Sequence, residues 1–153
     1  MSWLVAHTER TLTEQMPAPP EQVRGFYVDL NNIKLVHPLI VSVEVLSRSD
    51  TQEGYDQTYR VVDRISLGPF TFRTAYRARL HVPDDGDVLT EADQSPGVRL
   101  RGTVSFEPTD AGTRVTERIR IAAPRPLAAF TTREAVKAHI AMLSGIRGHF
   151  ESG

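Results

Sequence analysis

Residues 131–150, TTREAVKAHIAMLSGIRGHF, decide how the rest of the chain must fold. At about 100° per residue, Val136, His139, Ile140, Leu143, Ile146 and Phe150 fall on one broad stripe, and Arg133, Lys137 and Ser144 fall elsewhere. The spacing predicts one long amphipathic helix. Thr131-x-x-Glu134 reads as a capping box that starts it, with Phe130 placed to staple against Ala135. Gly145 and Gly148 lie off the stripe, and each costs ~1 kcal/mol relative to alanine. They predict a loosely held last turn; close approach of another element is the alternative. His139 interrupts the stripe near its middle. It is either a buried histidine bonded to backbone or water, or a polar handle inside a cavity.

Upstream of residue 123 the period is mostly two. Leu4–Gln15 is a strand candidate ended by Pro17-Ala18-Pro19-Pro20, and proline suits the first turn of a helix. Val23, Phe26, Tyr27 and Leu30 recur at helical spacing, and Asn31 or Asn32 is placed to cap a second short helix that Pro38 stops. Alternation then marks Val41–Leu46, Tyr55–Leu67, Phe70–Leu80, Val88–Asp93, Val98–Phe106 and Val115–Ile121. Asp50–Gly54, Gly68-Pro69, Asp84–Asp87, Ser95–Gly97 and Asp110–Gly112 separate them as turns. Six strands joined by short turns make an antiparallel meander, to which the first strand adds a seventh. One apolar sheet face and one amphipathic helix need each other. The expected class is α+β: a curved seven-stranded antiparallel sheet around a C-terminal helix, with two short helices between strands 1 and 2.

A chain of 153 residues is read as one domain, 1–153, with 40% hydrophobic and 24% charged residues. A net charge of −1 gives no global pull toward nucleic acid or anionic lipid. Without cysteine there are no disulfides or thiolate metal sites, which fits a reducing compartment. MSWLVAHTER has neither the apolar run nor the basic flank of a signal peptide, and no segment approaches the roughly 18 apolar residues of a membrane span. A cytoplasmic location is expected, as a monomer or a homodimer. His7, His37, His81, His139 and His149 have no metal-ligand spacing, and there is no phosphate loop, dinucleotide fingerprint or nucleophile elbow. Neither metal nor cofactor is expected.

Three stretches, MPAPPEQVRGFYVDLNNIKLVHP (16–38), GTVSFEPTDAGTRVTERI (102–119) and IAMLSGIRGHFE (140–151), carry a resemblance to a known family. Together with the element order, they resemble the START-like, Bet v 1-like helix-grip superfamily (SRPBCC), including its bacterial polyketide cyclase/dehydrase and lipid transport group. The resemblance implies a cavity between the last helix, the sheet and the two short helices. It implies no catalytic signature, because members share a pocket and not a motif. The segment Pro124–Phe130 and the glycine-bearing last turns depart from the pattern.

The inner face then supplies the candidates. Ligand-binding positions are Tyr59, Val61, Asp63, Phe72, Tyr76, Val104, Phe106, Glu117, His139 and Leu143; acid/base candidates are Glu117, His139 and Asp63. Glu117, between Val115 and Ile119, must be paired, hydrogen-bonded or protonated. Arg10 is the expected ion-pair partner if the first strand borders the seventh, as the resemblance implies. The opposite face is rich in arginine, with Arg60, Arg64, Arg73, Arg77 and Arg79 on neighbouring strands, and reads as solvated. The expected function is binding of a small, mostly hydrophobic ligand, a lipid, an aromatic or a polyketide-like molecule. A cyclase/aromatase- or dehydratase-like enzyme in the same cavity is the alternative. A regulatory protein using the arginine face is a third.

Overall fold

The structure, a computed structural model, describes residues 4–152, so the first three residues of MSWLVAHTER lie outside it. In chain order the elements are β1 (Val5–Met16), α1 (Pro20–Tyr27), α2 (Leu30–Val36), β2 (Ile40–Asp50), β3 (Gly54–Leu67), β4 (Phe70–Pro83), β5 (Val88–Gln94), β6 (Val98–Thr109), β7 (Gly112–Pro124) and α3 (Arg125–Ser152). The strands form one antiparallel sheet in the order β1-β7-β6-β5-β4-β3-β2, so the first strand closes onto the last. This is the expected α+β helix-grip architecture.

Alternation fixes which side chains face in. Tyr59, Val61 and Asp63 on β3, Ala78 and Leu80 on β4, and Val115, Glu117, Ile119 and Ile121 on β7 are buried, while the arginines between them are exposed. Gly112 permits the turn into β7: at φ +149, an added Cβ would stand 2.1 Å from the Met16 carbonyl oxygen. The buried Thr113 hydroxyl beside it donates to the Ala18 carbonyl at 2.7 Å, tying the start of α1 to β7.

Four sequence expectations are corrected. Leu30 does not continue the first helix; α1 ends at Tyr27, and Leu30 opens α2. The cap of α2 is Asp29, whose carboxylate accepts from the Asn31 amide at 2.9 Å, and not Asn31 or Asn32. The long helix starts at Arg125, with Pro126 tolerated in its first turn, so Thr131, Glu134 and Phe130 lie inside it and form no capping box or staple. Its buried face is Ala138, Met142, Leu143 and Ile146, while Ile140 is 53% exposed. The stripe is rotated from the expected one because alanines add little hydrophobic weight yet mark where the sheet comes close.

Gly145 shows that close approach, not looseness, explains one of the two helix glycines. A Cβ there would meet Val36 Cβ at 2.9 Å, so α2 packs directly on the bare backbone. Gly148 has nothing within 4 Å. Ile146, Met142 and Leu143 reach the core with Val23, Ile33, Val104 and Val115, and Phe150 packs edge-on against Phe26 with ring centroids 5.7 Å apart.

Candidate functional site

Glu117 is the one charged side chain among buried Val115, Ile119 and Ile121, itself 2% exposed. The Tyr27 hydroxyl donates to its Oε2, and His139 Nδ1 lies 3.1 Å from its Oε1. Helical spacing puts Tyr27 on the same side of α1 as buried Val23, and α3 carries His139 over β7, so two helices converge on one carboxylate. Arg10 is not the partner. It pairs in register with Ile119, Leu12 stands opposite Glu117, and the Arg10 guanidinium donates to the Glu9 carbonyl at 2.9 Å. A tyrosine and a histidine satisfy the carboxylate without the larger cost of burying a guanidinium.

This contact fixes the histidine tautomer. With Nδ1 donating to Glu117, Nε2 is left for the cavity that His139 lines. Burial pulls the His139 pKa down, but the charge of Glu117, its hydrogen bond and the charge of Asp63 outweigh that and raise it. Burial first, then the Glu117 charge, pushes the Tyr27 pKa well up, so its hydroxyl stays a donor.

A second histidine faces the first. His37, the C-cap residue of α2, has its ring 5.7 Å from that of His139, centroid to centroid and edge-on. Its Nδ1 accepts from the Leu39 amide at 3.2 Å, so the proton of the neutral ring sits on Nε2. Burial, then the charge of His139, lowers the His37 pKa to about 3, and it is neutral at physiological pH. Asp63, 7% exposed, accepts from the Tyr76 hydroxyl at 3.3 Å. Burial raises the Asp63 pKa to about 6 against the opposing pull of that hydrogen bond and the charge of His139.

These groups stand at the neck of a cavity of about 350 Å³ between the first half of α3 and the inner faces of β3 to β6. Its outer wall is apolar, with Ile65, Leu67, Phe72, Pro96, Leu127 and Phe130. A smaller chamber of about 110 Å³ continues inward to Tyr27, Leu30, Ile33 and Met142. His37, Tyr76, Ala92, Leu100 and His139 border both spaces.

The structure sorts the sequence candidates. Asp63, Phe72, Tyr76 and His139 line the main cavity, and Val61 lines the inner chamber. Glu117 stands behind the wall and acts on it through Tyr27 and His139. The Tyr59 hydroxyl turns away to the Val28 carbonyl at 3.3 Å. Val104 and Leu143 are core residues, and Phe106 packs edge-on against the Tyr27 ring at 5.6 Å. Sequence reasoning missed His37 and Tyr27 as site residues. A histidine between a helix and Pro38 is a usable signal, since the helix must end there and turn its last residue inward or outward.

Among the described residues, no group of three His, Cys, Asp or Glu converges as a metal centre requires. The polar set suits oxygen-bearing organic ligands: His37 Nε2–H donates, while His139 Nε2 accepts when neutral and donates when charged.

Solved structures share this fold across nearly the whole chain. A protein of Thermus thermophilus is 21% identical, with a TM-score of 0.68 and 97% of each chain covered. An aromatase/cyclase from a Streptomyces species is 16% identical with a TM-score of 0.69, covering 96% of this chain and 94% of that one. A START superfamily protein from Mycobacterium smegmatis is 12% identical with a TM-score of 0.64, covering 95% and 97%. No curated protein sequence matches the chain. The family model described as polyketide cyclase / dehydrase and lipid transport matches residues 7–145, and the chain belongs to that family.

Proposed function

We propose that the protein binds a small, mostly apolar molecule carrying at least one oxygen function, a lipid, an aromatic or a polyketide-like compound, in the cavity between α3 and the sheet. One observation carries this reading: an apolar-walled cavity of about 350 Å³ whose neck is set with His37, Tyr76 and His139. That volume is at the lower end of the range for ligand pockets, and the mixture of apolar wall and few polar groups is typical of them. Family membership supports the same reading. The test is titration with an environment-sensitive fluorescent fatty acid, followed by displacement with unlabelled fatty acids and polycyclic phenols. Saturable, displaceable fluorescence is expected. A linear, non-displaceable signal overturns the proposal.

A second reading, acid/base catalysis of the cyclase or dehydratase kind, is favoured by the two histidine tautomers. His37 Nε2–H can hold a carbonyl oxygen while neutral His139 Nε2 takes a proton from the adjacent carbon, with Glu117 steadying the resulting imidazolium. Turnover of a poly-β-ketone would then rise with pH through the raised His139 value and be lost in His139→Gln. Binding without turnover returns the protein to the first reading. The lack of cysteine supports a cytoplasmic setting for either.

A further inference from the structure

Three large apolar side chains lie close together and exposed at the tip of the β3–β4 hairpin: Leu67 at 50%, Phe70 at 71% and Phe72 at 42%. Leu67 stands opposite Phe70 in the register, around a tight turn that Gly68 makes at φ +60. Soluble proteins scatter such residues singly, and a cluster marks a contact surface. The opposite face of the same hairpin is cationic. Arg64 and Arg73 are exposed and directly cross-strand, an arrangement that costs stability through like-charge repulsion. Neither makes an ion pair among the described residues, and RISLGPFTFR (64–73) contains no carboxylate. The hairpin is thus apolar on one side and doubly positive on the other. Its apolar side continues into the cavity mouth at Ile65, Leu67 and Phe72.

We propose that this tip docks on anionic lipid bilayers. Phe70 and Leu67 enter the acyl boundary, Arg64 and Arg73 sit among the phosphates, and the cavity mouth faces the membrane interior. A projecting tip with one greasy and one basic side fits an interface that is itself apolar below and negative above. A second copy meeting it through the apolar side would cover Leu67, Phe70 and Phe72 but leave Arg64 and Arg73, on the far side of the hairpin, with no opposite charge. The inference stands apart from the identity of the cavity ligand.

The test is co-sedimentation of the full chain with phosphatidylcholine vesicles and with vesicles also containing phosphatidylglycerol. Binding to the mixed vesicles, weakening with added salt, is expected. Phe70→Ser, and separately the double change Arg64→Gln with Arg73→Gln, should each lower partitioning on the order of tenfold, with thermal melting not lowered. Uptake of a fluorescent fatty acid delivered in solution should survive Phe70→Ser, so failure here is distinguishable from failure of the cavity reading. Absent vesicle binding, binding indifferent to both variants, or a dimer that Phe70→Ser converts to monomer would each overturn the proposal.

Discussion

The two halves of α3 do different work. From Ala138 to Ile146 the helix is part of the core, with Ala138, Met142, Leu143 and Ile146 each 3% exposed or less. From Arg125 to Lys137 no residue is buried, and that half roofs the cavity with Leu127, Phe130, Thr131, Glu134 and Ala135. One continuous helix therefore clamps one end of the sheet and leaves room at the other. The core lies along one half and the cavity along the other.

The sharpest way to break that comparison is to shorten one side chain in each half. Ile146→Ala should cost about 2–5 kcal/mol, because a fully buried site cannot relax onto the hole. Leu127→Ala should cost under about 1 kcal/mol. Urea midpoints measure both, and equal losses would erase the distinction.

Acid should act on the cavity end. His37 is held down to about 3 from 6.5, so its contribution is present above pH 6.5 and is lost as pH falls toward 3. The loss is on the order of a few kcal/mol at its limit and should vanish in His37→Phe. Asp63 has the opposite sign. Its raised value, about 6 from 3.8, contributes stability below pH 3.8 that is lost as pH rises through 6. Asp63→Asn should therefore stabilise at pH 8 and be neutral at pH 3. Melting curves across pH read both.

His139→Leu joins the two halves. In a filled core it would be tolerated, but here it leaves the Glu117 carboxylate with Tyr27 alone, at a cost of about 1–3 kcal/mol. Because the His139 pKa is raised, its contribution is full below pH 6.5 and fades as pH passes the raised value, so the deficit should narrow in alkali. A deficit independent of pH would contradict the pairing.

The smallest effect is also the most local. Gly148→Ala, into open space, should stabilise by up to about 1 kcal/mol. Gly145→Ala forces a Cβ against Val36 and should destabilise by about 1–3 kcal/mol less that helical gain. Denaturation midpoints moving in the same direction would mean α2 does not seat on α3 as described.

Strands β3, β4, β6 and β7 were legible because their side chains alternate, and they face as Tyr59, Tyr76, Val104 and Glu117 indicate. The start of α3 was not, because Thr131 and Glu134 imitate a cap inside a helix that Leu127, Ala128 and Ala129 extend upstream. Glu117 and His139 could each be placed on an inner face, but their mutual contact depends on the rotation of α3. That rotation is set by small Ala138 and flexible Met142, which weigh little in a pattern of large apolar residues. Tyr27 and His37 depend on how α1 and α2 fold back over the sheet, a long-range packing outcome with no local periodicity to announce it.

The most direct test of the central claim is to fill the cavity while sparing the core. Ala92 lies on β5 and borders both chambers, so Ala92→Trp puts an indole into the space assigned to the ligand. Fluorescent fatty-acid binding should fall at least tenfold in Ala92→Trp, with circular dichroism and the urea midpoint close to those of the parent protein. Undiminished binding by the folded variant would place the ligand elsewhere and contradict the account.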